Sequence, residues 1–257
     1  MARKESNKRS AQAELPEVNF SDYGDVRYLH LGSPWVQGSM LMDKPFEIEL
    51  EYVQRMMVWL LYCEAQTVPA QHAMQLGLGA AALTKFCHKK LKMKTTAVEL
   101  NPQVISACRL WFKLPQDDLR LKVIQADAAQ EILKASHRGT VDALQVDLYD
   151  HEAAAPVLDS EDFYAHCRDL LTDQGVMTVN LFGRDSSYSA SLEKITASFG
   201  ADAVWAFKPT REGNTIVAAQ RQPSRPDRTE LVQRADVIES RWGLPAKKWL
   251  RLFKPAA

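Results

Sequence analysis

The sequence of 257 residues has no excess of charge: 32 lysines and arginines are matched by 32 aspartates and glutamates. A chain that grips nucleic acid or an anionic membrane needs a basic surplus. The missing charge therefore argues against both and leaves a small molecule as the expected partner. Cysteine is sparse as well. Cys63, Cys87, Cys108 and Cys167 lie far apart and form no CxxC pair, and they sit in apolar or helical patterns, as buried thiols in a reducing compartment do. The six histidines, His30, His72, His88, His137, His151 and His166, show no metal-ligand spacing, so no metal is expected. No apolar run reaches the roughly 20 residues that span a bilayer. Met1–Ser10 is basic and polar with no apolar stretch behind it, unlike a secretory signal. Together these absences predict a cytoplasmic protein. No internal repeat is visible.

What is present is a change of period along the chain. Residues 1–17 hold few large apolar side chains and read as a loose tail. Val26–Met42 alternates apolar and polar residues around Gly32, Ser33, Pro34 and Gly38, which predicts a small antiparallel β region over 18–46. From Glu47 the apolar residues Leu50, Val53, Met57, Leu60 and Leu61 fall at helical spacing, predicting an amphipathic helix through Tyr62.

After Pro69 short apolar strands alternate with helical stretches. Strands are expected at Ala73–Leu76, Thr95–Glu99, Leu121–Ile124, Ala143–Val146 and Val176–Leu181. Helices are expected up to Leu91, from Pro102 to Phe112, and over Ala129–Ala135, Ser160–Leu171 and Ser187–Phe199. Such alternation predicts βαβ units and a mainly parallel sheet in an α/β domain over 47–222. Ala203–Phe207 and Thr215–Gln220 flank a turn through Pro209 and Gly213, so an antiparallel hairpin closes the domain. Gln222–Arg228 reads as a linker into a helical extension, 223–257. Its stripe of Leu231, Val232, Ala235, Ile238 and Trp242 packs either on the domain or on a second subunit in a homodimer.

Chemistry gathers where these strands end. In Leu76-Gly77-Leu78-Gly79-Ala80 a GxG turn joins a strand to a helix, and its glycines let backbone approach a ligand closely. An acid, Glu99, ends the next strand about twenty residues on, where a carboxylate accepts from ribose hydroxyls. Asn101-Pro102 then supplies a helix cap and first residue. In Ala126-Asp127-Ala128 the acid can accept from an adenine amino group, or simply cap the helix that follows. In Val146-Asp147-Leu148-Tyr149-Asp150 paired acids can hold a cationic amine, and either can take its proton if burial raises its pKa. Taken singly, each acid also reads as a solvated loop residue. All of them fall at the carboxyl edge of the predicted sheet, where open α/β folds bind ligands.

The succession Leu-Gly-Leu-Gly, Val-Glu-Leu-Asn-Pro, Ala-Asp-Ala, Val-Asp-Leu-Tyr-Asp, Pro156-Val157-Leu158 and Asp162-Phe163-Tyr164 resembles the spermidine and spermine synthase family. The resemblance runs from about Gln37 to Gln220 and includes Trp35-Val36-Gln37-Gly38-Ser39 and Glu49-Leu50-Glu51-Tyr52. It implies a class I AdoMet-methyltransferase-like (Rossmann-like) fold with helices on both faces of the sheet, behind a small N-terminal β-hairpin region. It also implies transfer of an aminopropyl group from decarboxylated AdoMet to an amine, releasing methylthioadenosine without a metal. Carried onto this sequence, it makes Asp147 the catalytic acid and Asp150 the second amine-binding acid, with Tyr52 lining the amine cleft. Gln37 lies near the sulfonium; Glu99 binds ribose; Asp127 with Ala128 binds adenine; and the Gly77 and Gly79 turn holds the rest of the nucleoside.

The sequence departs from the family at several of these places. Ala80 replaces the acid that binds the amino group of decarboxylated AdoMet. Leu148-Tyr149 and His151 replace the Ser or Thr pair and the Pro around the catalytic acids, and Asn180 stands for a Gln. His151, beside Asp150, can orient or discharge that carboxylate. Without an acid at Ala80 the pocket can also accept the carboxylate of intact S-adenosylmethionine, so an AdoMet-dependent methyltransferase is the alternative, and a nucleoside-binding homologue without turnover is a third.

Overall fold

The computed structural model describes residues 15–149, 158–182 and 186–256. Three antiparallel strands come first, β1 (Val18–Tyr23), β2 (Val26–Leu31) and β3 (Val36–Leu41), paired in that order. They form the small N-terminal sheet that the alternating pattern predicts.

The segment from Glu47 to Tyr62 corrects an expectation. Instead of one amphipathic helix it forms a short α1 (Glu51–Arg55) followed by a 3-10 turn, Val58–Tyr62. The break has a local cause: the carbonyl of Met56 accepts from Thr178 Oγ1 at 3.0 Å and from Gln145 Nε2 at 3.4 Å. Leu60 N then donates to Met57 O at 3.1 Å, the tighter 3-10 spacing. Met56, Met57, Val58, Trp59, Leu60 and Leu61 are all buried, so the segment has no solvent face.

The main sheet begins at β4 (His72–Leu76). There follow α2 (Ala82–Lys85), which runs into a π turn over Phe86–Lys90, β5 (Lys94–Glu99), α3 (Pro102–Trp111), β6 (Leu121–Gln125), α4 (Ala128–Glu131) and β7 (Val141–Val146). Then come α5 (Glu161–Leu170), β8 (Leu171–Phe182), α6 (Ser186–Phe199), β9 (Val204–Phe207) and β10 (Asn214–Gln220). The chain closes with α7 (Arg228–Trp242), α8 (Ala246–Leu252) and β11 (Phe253–Pro255). The eight strands lie in the order β11-β9-β10-β8-β7-β4-β5-β6. Pairing is parallel from β6 to β8 and antiparallel from β8 to β11. This is a Rossmann-like, methyltransferase-type sheet with the expected closing hairpin.

Helix starts follow their caps. The Asn101 side chain accepts from Gln103 N with Pro102 as the first residue of α3; Ser160 accepts from Phe163 N at α5; Asp227 accepts from Glu230 N at α7. Strand residues alternate between two cores. Ala73, Ala143, Val176, Ile216 and Ala218 face a core shared with α1, α7 and α8, while Met74, Leu144, Val146, Met177, Val217 and Ala219 face one shared with α5 and α6.

The C-terminal stripe packs on its own domain: Ala235 and Ile238 join the first core, and Arg234 Nη1 donates to Leu61 O at 2.8 Å. Beyond it the extension is not all helical, because β11 adds to the sheet beside β9. Phe207 and Phe253 stack there with centroids 4.8 Å apart.

Candidate active site

The carboxyl ends of β7, β4, β5 and β6 are neighbours in the sheet, so the loops after them share one rim. The glycine turn leaves β4. Gly77 sits at φ +89, and a methyl group built on it would lie 2.2 Å from the backbone oxygen of Asp147. Only a bare Cα lets the β4 and β7 ends close to this distance. Gly79, at φ +49, backs onto the carbonyl of Gln37, which would stand 2.9 Å from an added Cβ. The small N-terminal sheet is thereby seated on the turn: Gly38 of β3 packs so tightly on Ala80 that a Cβ there would meet Ala80 N at 2.6 Å. The Ala80 side chain is buried in this contact and opens no space for a longer one.

Glu99, at the end of β5, holds the turn from the other side. Its Oε2 accepts from Leu78 N at 3.0 Å and its Oε1 from Asn101 N at 2.8 Å. Burial raises the Glu99 pKa above the usual value, and the backbone donors of Asn101, Leu78 and Leu100 oppose that rise. A carboxylate has about four acceptor positions, so after these bonds it retains capacity for ligand hydroxyls. Asp127 is exposed and caps α4, its Oδ1 accepting from Ala129 N at 2.8 Å. Ala128 beside it is buried.

Asp147 follows β7 and is anchored by its own N–H, which donates to Leu76 O at 3.0 Å. Its carboxylate is gripped from two elements: Asn180 Nδ2 of β8 donates to Oδ1 at 2.9 Å, and the Tyr52 hydroxyl of α1 donates to Oδ2 at 3.3 Å. Burial pushes the Asp147 pKa up, with Asn180 and then Tyr52 acting against it. Tyr52 is raised well above the ordinary phenol range, by burial first and then by the charge of Asp147, so it stays a donor. The Tyr149 hydroxyl holds the Asn180 main chain, donating to its backbone carbonyl at 2.8 Å.

Gln37, on β3, completes the described part of the rim. Among the described residues its Nε2 is buried without a hydrogen-bond partner. A buried amide donor left unpaired costs about 1–3 kcal/mol, so it marks a place where a ligand acceptor fits.

The structure thus brings Gly77, Gly79, Glu99, Asp127, Ala128, Asp147, Tyr52 and Gln37 to one edge of the sheet. Asp150 and His151 lie outside the described residues. A separate cavity of about 410 Å³, lined by Glu47, Glu49, Gln54, Lys90 and Trp242 among others, includes none of them. Sequence reasoning missed Asn214, whose Nδ2 donates to Asn180 Oδ1 at 3.2 Å. Its position at the start of an apolar strand was the one available signal.

The sheet order and the turn at its edge define a Rossmann-like, methyltransferase-type protein. Residues 77–198 match the spermine/spermidine synthase domain family. The polyamine aminopropyltransferase of Neisseria meningitidis serogroup A is 33% identical over 247 residues, 96% of this chain and 92% of that protein. The chain therefore belongs to the polyamine aminopropyltransferase family, the spermine and spermidine synthases, and with it to the transferases.

Solved structures agree on the fold. A probable spermidine synthase from Corynebacterium glutamicum superposes with a TM-score of 0.69 at 18% identity, covering 93% of this chain and 87% of that one. Human methyltransferase-like protein 13, in complex with SAH, gives 0.65 at 24% identity, covering 76% and 93%.

Proposed function

We propose that this chain transfers the aminopropyl group of decarboxylated AdoMet to a small amine or polyamine and releases methylthioadenosine. Family membership supports the reaction class. The observation that carries the residue assignment is the half-buried Asp147 carboxylate, raised in pKa and held by Asn180 and Tyr52 at the sheet edge. In this reading the Gly77 and Gly79 turn cradles the nucleoside, Glu99 accepts from the ribose, and Asp127 with Ala128 meets adenine. Gln37 is placed near the sulfonium end of the donor on the family resemblance alone. Tyr52 lines the amine cleft. Asp150 is proposed as the second amine-binding acid on the family resemblance alone.

The donor supplies an activated methylene beside a sulfonium. Asp147 attracts the ammonium of the acceptor and takes a proton from it, freeing the lone pair. The C–N bond forms as the C–S bond breaks, and the sulfur keeps the bonding pair as a neutral thioether. Product analysis tests the reading. Purified protein with decarboxylated AdoMet and putrescine, cadaverine or spermidine should yield methylthioadenosine and the lengthened amine in equal amounts. No methylthioadenosine with any of them would overturn it.

One observation favours a second reading, methyl transfer from intact AdoMet: Gln37 Nε2, an amide donor without a partner among the described residues, can meet the carboxylate that the decarboxylated donor lacks. Calorimetry with both donors separates the two, since the methyltransferase reading fails if only the decarboxylated form binds.

A further inference from the structure

Asp147, Asn180 and Asn214 lie on the sheet face that carries α1, as strand parity requires: Gln145 and Asp147, Thr178 and Asn180, Asn214 and Ile216 share it. Asn180 and Asn214 are 4% and 8% exposed. They form a line of hydrogen bonds with one direction, Asn214 Nδ2 to Asn180 Oδ1 at 3.2 Å and Asn180 Nδ2 to Asp147 Oδ1 at 2.9 Å. A buried amide is nearly symmetrical in shape, so its neighbours decide which end points where. At Asn180 the donor behind it makes that choice. Because Asn214 Nδ2 occupies the Asn180 oxygen, the Asn180 NH2 is turned to the carboxylate.

The Asn214 main chain is held at the start of β10, its N donating to Thr210 Oγ1 at 3.2 Å and its main-chain carbonyl accepting from Thr210 N at 2.8 Å. The Asn180 main chain is held by the Tyr149 hydroxyl.

We propose that Asn214 is a positioning residue for the aminopropyl-transfer reaction: acting through Asn180, it fixes the donor end of that amide on Asp147 and so favours the ionised, proton-accepting carboxylate. The assignment rests on Asp147 being the proton acceptor. Turned the other way, Asn180 would present an oxygen, which only a protonated Asp147 can meet. Among the described residues the titratable groups bearing on this site are Tyr52 from α1 and Tyr149 from the loop after β7; β8 and β10 contribute the neutral amides.

The test uses the full chain and the variants Asn214→Asp and Asn214→Leu. The new carboxylate in the first accepts from Asn180 and reverses the amide; the second only deletes the donor. In protein labelled with 13C at the aspartate carboxyls, the Asp147 signal is the one lost in Asp147→Asn. Its midpoint should rise by about one pH unit in Asn214→Asp and by less in Asn214→Leu. The acid limb of kcat/KM should move with it, giving about a tenfold loss near the wild-type midpoint that is regained at higher pH.

A midpoint unmoved in either folded variant, or a loss of rate equal at all pH values, would overturn the proposal. The titration needs no turnover. If no methylthioadenosine forms at all, the aminopropyl reading fails, while the shift still decides what Asn214 does to Asp147.

Discussion

A methyl group on Gly77 would have to share space with the Asp147 carbonyl oxygen, 2.2 Å away, and φ +89 is strained for any side chain. Gly77→Ala is expected to push the ends of β4 and β7 apart and destabilise the chain by more than about 2 kcal/mol. Urea unfolding measures it; a loss under about 0.5 kcal/mol would mean that the rim is loose.

Tyr52→Phe removes one of the two side-chain donors on Asp147 and leaves its burial unchanged. The Asp147 pKa should rise further, so the variant should lose about two- to tenfold in kcat/KM at acidic pH and much less at alkaline pH. A pH-independent loss would instead make Tyr52 a wall of the cleft.

Most of these residues were legible because a strand, a turn residue and an acid stood in the right order along the chain. Asn214 was not. Its role depends on a partner 34 positions away on a strand that pairs antiparallel with its own, a relation that local spacing does not encode.

The elements show where periodicity reads well and where it stops. Strands β4 to β7 and helices α3, α5 and α6 fall within a few residues of their expected places, since apolar strands bounded by caps and turn residues leave few alternatives. The 56–62 segment went wrong because burial on all sides satisfies helical spacing without requiring a continuous helix. The Met56 carbonyl turns instead to a polar row across β4, β7 and β8, where Gln75, Gln145 and Thr178 stand at one level.

Gln75 Nε2 donates to Gln145 Oε1 at 2.8 Å, and Gln145 and Thr178 both reach Met56 O. Gln145→Leu would leave Gln75 Nε2 with only the weak Cys87 Sγ acceptor at 3.8 Å in a dry interior, costing about 1–3 kcal/mol. The urea midpoint should fall with an unchanged m-value; a neutral result would show that the row does not anchor the segment carrying Tyr52.

For the molecule as a whole, the end of the chain was the least legible part. A single apolar stripe in α7 forecast packing on the domain or on a second subunit, and contacts with Leu61 and the α1 core settle the first for Ala235 and Ile238. The three residues of β11 carry no periodic signal at all.

Global stability should also carry the mark of Lys85, 1% exposed, whose Nζ donates to Phe112 O at 2.8 Å while burial lowers its pKa to about 8. In the unfolded chain the group keeps its proton to about pH 10.4. Between those values the unfolded state binds more protons, so stability rises with pH across that window. The gain relative to Lys85→Met should reach about 3 kcal/mol, read as parallel urea titrations at pH 7 and 10. Equal pH dependence in both proteins would refute it.

The central claim is that Asp147 takes the proton of the attacking amine in an aminopropyl transfer. Methylthioadenosine formation from decarboxylated AdoMet, followed by mass spectrometry in wild type and Asp147→Asn, tests it most directly. The account predicts product equal to the amine consumed in the wild type and a loss of about 10²- to 10⁴-fold in the variant, with its fold retained. Undiminished product from Asp147→Asn would contradict it.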